Sequence, residues 1–292
     1  MSGAGGPVAL VLGGGGILGA SEVGMLRALL DAGVSPDIVV GTSVGAINGA
    51  LVAAQPTRDA VERLTSLWTQ ATRAGVFTES WWRQAVRVAR LGTHLHSSDS
   101  LRELLTEHLP DRPIEDLAVH FECVAARIET ASARWFDRGP VVEAVLASCA
   151  VPGLLPAVRI DGEHYLDGGL VHSIPIARAL TLGAREVYVL QVGRIEHPLE
   201  VPRRAWEVGL VSFEIARRHR FNEELASVPD GIDVHVLPTG VVGSPSLSLR
   251  YRGAAGVRER IERAFEATSE YLEKQAPGGG VVGRTGRDGS TP

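Results

Sequence analysis

The chain has 292 residues, 45% of them hydrophobic, and a formal net charge of −5. Its apolar content is enough for a large core in one domain or at most two, and its negative balance gives no general attraction to nucleic acid. The two cysteines, Cys123 and Cys149, make neither a C-x-x-C pair nor a zinc-ligand pattern, so they read as reduced cytosolic thiols, with one long-range disulfide as the alternative.

The opening Met1-Ser2-Gly3-Ala4-Gly5-Gly6-Pro7 has no basic region ahead of the first apolar run, which argues against a secretory signal. Val8-Ala9-Leu10-Val11-Leu12 reads as a continuous buried strand of the kind found in parallel sheets. The loop Gly13-Gly14-Gly15-Gly16-Ile17-Leu18-Gly19 follows directly. Over residues 17–32, Val23, Leu26, Leu29 and Leu30 recur at helical spacing, and Gly33 marks a stop. A strand over 38–42 and a helix over 44–54 come next. Residues 38–57 carry no charge, but Gly41, Ser43, Gly45, Asn48 and Gly49 interrupt them. A buried strand and helix therefore fit better than a membrane span, and a soluble, cytoplasmic protein is expected.

Residues 59–74 and 100–109 read as helices. Between them Trp81-Trp82 begins a segment with Arg83, Arg87 and Arg90 on one face and Trp82, Val86 and Ala89 on another. Two readings stay open there: transient, peripheral contact with a membrane surface, or a cap helix packing its tryptophans inward. Residues 121–126 and 133–136 look like paired strands, and 141–150 like a helix stopped by Val151-Pro152-Gly153. His164-Tyr165-Leu166 leads into Asp167-Gly168-Gly169. A helix over 175–182, a strand over 186–192, a helix over roughly 202–227, a strand over 232–237 and a helix over about 254–275 complete the pattern. Arg217-Arg218-His219-Arg220 reads as a solvated helix face, with contact to lipid phosphates as the alternative. From Pro277 onward six of sixteen residues are Gly and none is aromatic, so a disordered tail over 277–292 is expected behind a single domain over 1–276. The alternation of strands and helices predicts an α/β fold with three layers, α/β/α, around a mostly parallel central sheet. Nothing in the pattern sets an oligomeric state.

Two glycine-bearing turns carry the chemistry. Gly41-Thr42-Ser43-Val44-Gly45 has the G-x-S-x-G form of a nucleophile elbow. Ser43 would then sit at a helix N-terminus, where the dipole favours developing negative charge; the bland alternative is a serine N-cap without chemistry. In the preceding loop, N–H groups of Gly14, Gly15 and Gly16 are the candidates to hold an oxyanion. The same loop satisfies G-x-G-x-x-G, yet the next strand ends at Thr42-Ser43 rather than at the acidic residue a dinucleotide site wants. A nucleotide-binding protein and a purely structural turn remain as alternatives.

A serine nucleophile needs a base. His172, His197, His219 and His235 lie downstream, but a Ser…Asp…His layout fits poorly with only one strand ahead of the elbow. Asp167 is the better candidate, since two glycines let the chain turn close to the serine; an ordinary Asp-Gly hairpin turn is the alternative. No cluster of ligands has metal-binding spacing, and no cofactor is expected.

These pieces resemble the patatin-like phospholipases. That family has a glycine-rich oxyanion loop, G-x-S-x-G and D-G-[GA], matched here by Gly13 to Gly19, Gly41 to Gly45 and Asp167-Gly168-Gly169, with 124 positions from Ser43 to Asp167. Ala147-Ser148-Cys149-Ala150-Val151-Pro152-Gly153-Leu154-Leu155-Pro156 is similar to the family's A-S-x-A-x-P-x-x-x-P stretch. The resemblance covers residues 8–192 well and 193–275 more loosely. One position departs: Leu18 stands where the family's loop carries a basic residue. The resemblance implies a patatin-like fold and a serine acyl hydrolase that cleaves carboxyl esters of lipids through a Ser43–Asp167 dyad. In it Gly41 and Gly45 support the elbow, and Gly168 and Gly169 the turn at the aspartate. A lipid or other ester would be its substrate. An acyltransferase or a non-lipid esterase on the same dyad, or a catalytically silent lipid-binding protein, are the alternatives.

Overall fold

The structure is a computed structural model describing residues 6–73, 97–192, 198–199, 201–202, 205–240 and 254–275. The segment around Trp81-Trp82, His197 and the expected tail over 277–292 lie outside the described residues. Eight strands among the described residues form one sheet: β1 (Val8–Leu12), β2 (Ile38–Thr42), β3 (His120–Arg127), β4 (Ser132–Phe136), β5 (Val158–Ile160), β6 (Glu163–Asp167), β7 (Glu186–Leu190) and β8 (Asp233–Val236). The helices are α1 (Ala20–Asp31), α2 (Val44–Ala54), α3 (Arg58–Arg73), α4 (Asp99–His108), α5 (Val141–Ser148), α6 (Ile176–Thr181), α7 (Ala205–Ala226) and α8 (Ala254–Gln275).

Strand periodicity sorts the side chains into two cores, one on each face of the sheet. Leu10, Leu12 and Val39 pack with Leu26, Ile47, Leu64, Trp68 and Ile261 on one face. Ala9, Val11 and Val40 pack with Ile174, Ile176, Val187 and Phe221 on the other. Helices thus cover both faces, in the expected α/β/α layering. Pairing is parallel among β1, β2, β3, β7 and β8, while β4, β5 and β6 join antiparallel.

Two local features depart from the sequence expectation. The helix expected from residue 17 is preceded by a 3-10 turn over Gly16–Gly19, closed by the Leu18 N–H donating to the Gly15 carbonyl at 3.2 Å. The three-residue strand β5 is too short to show a periodicity in the sequence. It turns into β6 at Asp161-Gly162, whose φ values of 51° and 89° suit a two-residue hairpin.

β3 determines where the site forms. One of its edges pairs Cys123–Arg127 with β4. Its other edge is shared end to end by two strands running in opposite directions. β2 pairs as far as Thr42 opposite Val124, and β6 pairs as far as Asp167 opposite Ala125. The C-terminal ends of β2 and β6 therefore meet at neighbouring positions of β3, with Ser43 the next residue after Thr42. A separation of 124 positions collapses into a contact.

Candidate active site

Ser43 has φ 55° and ψ −123°, between the end of β2 and the first turn of α2. A residue other than glycine held there stores on the order of 1–3 kcal/mol of strain. The surroundings enforce it. The Ser43 N–H donates to Ser148 Oγ at 2.8 Å, and the Ser43 carbonyl accepts from the Ala46 N–H at 2.8 Å. A Cβ on Gly41 would lie 2.5 Å from the Gly45 carbonyl oxygen, and one on Gly45 would lie 2.4 Å from that of Leu12. Glycine at both positions lets the elbow nest against the end of β1.

The Ser43 hydroxyl donates to Asp167 Oδ2 at 2.6 Å. The other oxygen, Oδ1, accepts the Gly169 N–H at 2.7 Å. The Asp167 N–H donates to the Ala150 carbonyl at 2.8 Å, which fixes the end of β6. Gly168 is required beside it, because a Cβ there would stand 2.1 Å from the Val124 carbonyl oxygen. Burial pushes the Asp167 carboxyl up from 3.8 to about 6, against the lowering effect of its hydrogen bonds to Ser43 and Gly169. A base must be ionised to accept a proton. Activity should therefore fall as the pH drops through about 6. A pH profile of kcat/KM on a short ester between roughly pH 4.5 and 8 checks this; an acid limb near the ordinary aspartate value would contradict it.

The described histidines lie elsewhere. His172 contacts Glu224 at 3.3 Å and packs on Trp135. His219 faces Glu223 at 3.4 Å, and His235 faces the Tyr271 hydroxyl at 3.1 Å. Asp167, and no imidazole among the described residues, is hydrogen-bonded to the Ser43 hydroxyl. Cys123 and Cys149 are both buried and free, without a disulfide.

The glycine loop requires one correction. Gly13 donates its N–H to the Leu190 carbonyl at 2.9 Å, and Gly14 donates to the Ser173 carbonyl at 2.9 Å. The Gly14 N–H is spent on holding the loop to the next turn, so it cannot face an oxyanion. Gly15 is exposed and Gly16 half-buried, and among the described residues neither N–H has a backbone acceptor.

Sequence reasoning did not single out the residues that steady this loop. Asn48 donates from Nδ2 to the Gly19 carbonyl at 3.0 Å and to Glu22 Oε2 at 2.7 Å. Its Oδ1 accepts the Trp68 indole N–H at 2.9 Å. Glu22 is fully buried, and desolvation pushes its carboxyl well above the usual carboxylate range. Arg260, from α8, donates to the Ile17 carbonyl at 3.4 Å. Periodicity marks Glu22 and Arg260 as ordinary helix residues; only the fold brings them to the loop. Ser148 does lie in a quoted motif, yet its hydroxyl's role became visible only in three dimensions. Among the described residues no group of three or more His, Cys, Asp or Glu side chains is placed to hold a metal ion.

The fold and this pair define a class: α/β proteins with a serine–carboxylate pair at a strand-to-helix elbow. The family profile described as patatin-like phospholipase matches residues 10–180, and the chain belongs to that family. It is 34% identical over 194 residues to a patatin-like phospholipase domain-containing protein of Caenorhabditis elegans, covering 66% of this chain and 14% of that one. It is 34% identical over 189 residues to lysophospholipase nte1 of Emericella nidulans, covering 65% of this chain and 12% of the relative. The chain thus spans only a small part of these relatives' length. Among solved structures, VipD from Legionella pneumophila is similar at 14% identity and a TM-score of 0.47, over 92% of this chain and 67% of that one.

Proposed function

We propose that this chain is a serine acyl hydrolase acting on carboxyl esters of lipids, with Ser43 as nucleophile and Asp167 as base. One observation carries the proposal: the 2.6 Å hydroxyl–carboxylate contact at a strained elbow, beside a loop with open N–H groups. Asp167 takes the Ser43 proton as Oγ bonds to the ester carbonyl carbon. The C=O π pair moves onto oxygen, where the N–H groups of Gly15 and Gly16 hold it; one such donor is typically worth about 3 kcal/mol. Collapse re-forms the carbonyl and expels the alkoxide, which takes the proton from Asp167 and departs as the alcohol. Water then attacks acyl-Ser43, Asp167 accepting its proton. The second collapse returns that proton to Ser43 Oγ and releases the acid.

Two features support a lipid substrate. The relatives' names speak of phospholipase and lysophospholipase. Exposed apolar side chains also stand next to the pair: Leu170 and Phe213 are each 42% exposed, and Phe213 Cζ lies 3.3 Å from where a Cβ on Gly169 would be. An acyl chain would cover them and gain the free energy of apolar burial. The arginine run on α7 offers less. Arg217 and Arg218 both pair with Glu214, at 2.7 and 2.8 Å, so they are engaged within the helix rather than set out for phosphate. No described helix is long and apolar enough to cross a bilayer.

Labelling with a fluorophosphonate and mapping the modified peptide tests the proposal. The expected result is a single adduct on Ser43 with hydrolysis of p-nitrophenyl esters; no adduct there, or an adduct on another serine, would sink it. Within the same assay Phe213→Ser should lower kcat/KM for a twelve-carbon ester roughly tenfold while sparing the four-carbon ester, as expected for lost apolar contact. Equal losses on both would deny Phe213 a part in holding the chain.

A further inference from the structure

We propose that the Ser173 hydroxyl is a further catalytic group, donating a hydrogen bond to the oxyanion alongside the N–H groups of Gly15 and Gly16. The inference rests on the acyl hydrolase proposal and adds a residue that neither the elbow nor the glycine loop contains. Ser173 follows the turn that leaves Asp167, and it is only 6% exposed. Its carbonyl accepts the Gly14 N–H, which takes that donor out of the loop. Its side chain returns one. Ser173 Oγ lies 3.6 Å from the point where a Cβ on Gly14 would stand, and Ser43 Cβ lies 3.5 Å from that same point. It also lies 4.0 Å from the corresponding point on Gly169, whose N–H binds Asp167. The hydroxyl therefore borders the hollow between loop, nucleophile and base.

Two further facts favour a donor to substrate over a passive core hydroxyl. Among the described residues no hydrogen bond engages the Ser173 hydroxyl, and Oγ is not one of the fully buried side-chain atoms left without a partner, so its donor is open to a substrate oxygen. Its backbone is also fixed on both sides: the His172 carbonyl accepts the Thr42 hydroxyl at 2.8 Å, and Ile174 packs in the second core. A donor held this way needs little reorganisation as charge develops, which is the condition for oxyanion stabilisation. No carboxylate or imidazole among the described residues is bonded to this hydroxyl, so nothing there takes its proton. It donates a hydrogen bond and keeps the proton, and the proton balance of the Ser43–Asp167 cycle is unchanged.

The test is Ser173→Ala, which retains the carbonyl that anchors Gly14. On p-nitrophenyl butyrate, kcat should fall about 100-fold, the usual scale for one oxyanion donor, with KM within about twofold. A trifluoromethyl ketone of matching chain length forms a tetrahedral oxyanion on the nucleophile, so its Ki should rise by a similar factor. The melting temperature should stay put. Wild-type kcat in the alanine variant, or a drop in kcat with unchanged Ki, would overturn the inference. Fluorophosphonate labelling of both proteins separates the two levels. A wild-type chain that does not label at Ser43 removes the acyl hydrolase proposal itself. A labelled, fully active Ser173→Ala removes only the role of Ser173.

Discussion

Ser43→Ala should lose ester hydrolysis by a factor on the order of 10⁴ or more, the scale on which nucleophile deletions act. The variant should remain folded. Ser148 Oγ can still accept the residue 43 N–H, and alanine carries the same positive-φ strain as serine. What disappears is the proposed nucleophile and one hydrogen bond to Asp167. That carboxyl is already pushed up by burial, and without the hydroxyl that favours its charged form it should take up a proton more readily. The measurement pairs hydrolysis of p-nitrophenyl butyrate with circular dichroism. An alanine variant that keeps its fold and more than about a hundredth of the wild-type rate would remove Ser43 from the mechanism.

How much of this was visible in the amino-acid sequence differs from residue to residue. Strands such as Val8–Leu12 and Ile38–Thr42 are apolar throughout, because both faces of a parallel sheet are covered, and such runs announce themselves. Glycines 41 and 45 were legible because their spacing around a serine has one common steric cause. Asp167 was legible only in company, since Asp-Gly alone describes many hairpins. Its pairing with Ser43 depends on β2 and β6 sharing an edge of β3, a register that no local pattern encodes. The donors of the loop were harder still. Four consecutive glycines look alike as letters, and which N–H is spent depends on where the Ser173 carbonyl lies.

The support of the loop shows the same limit from another side. Leu18 leaves the loop without a basic residue of its own at that position, but a cation reaches the neighbouring carbonyl from α8, as Arg260. α8 lies outside the residues that the family profile matches. It is held close to α1 by a near approach at Gly24, where a Cβ would stand 2.1 Å from the Ile261 carbonyl oxygen. Arg27 adds an ion pair to Glu262 at 2.8 Å and lies 3.5 Å over the Phe265 ring. An exposed pair of this kind contributes little by itself; the backbone approach and the buried face of α8 carry the contact.

Asp167→Asn should separate activity from stability. Loss of the proposed base is expected to cost about 10³-fold or more in kcat/KM. Stability should move the other way. Asp167 binds its proton more tightly in the folded chain than in the unfolded one, since its value rises from 3.8 to about 6. Its contribution is therefore fully present below the ordinary aspartate value and is lost as the pH rises through about 6. At about 1.4 kcal/mol per unit, keeping the carboxylate ionised in its buried site costs up to about 3 kcal/mol at pH 8. Asparagine carries no such cost. Its amide oxygen can still accept the Gly169 N–H, and its NH₂ group can face Ser43 Oγ. The variant should thus melt several degrees above wild type at pH 8, and the gap should close on acidification to about pH 4. Thermal melts at the two pH values, run beside the hydrolysis assay, decide the matter. A gap that is absent at pH 8, or independent of pH, would mean that residue 167 is not a carboxylate held against its own desolvation.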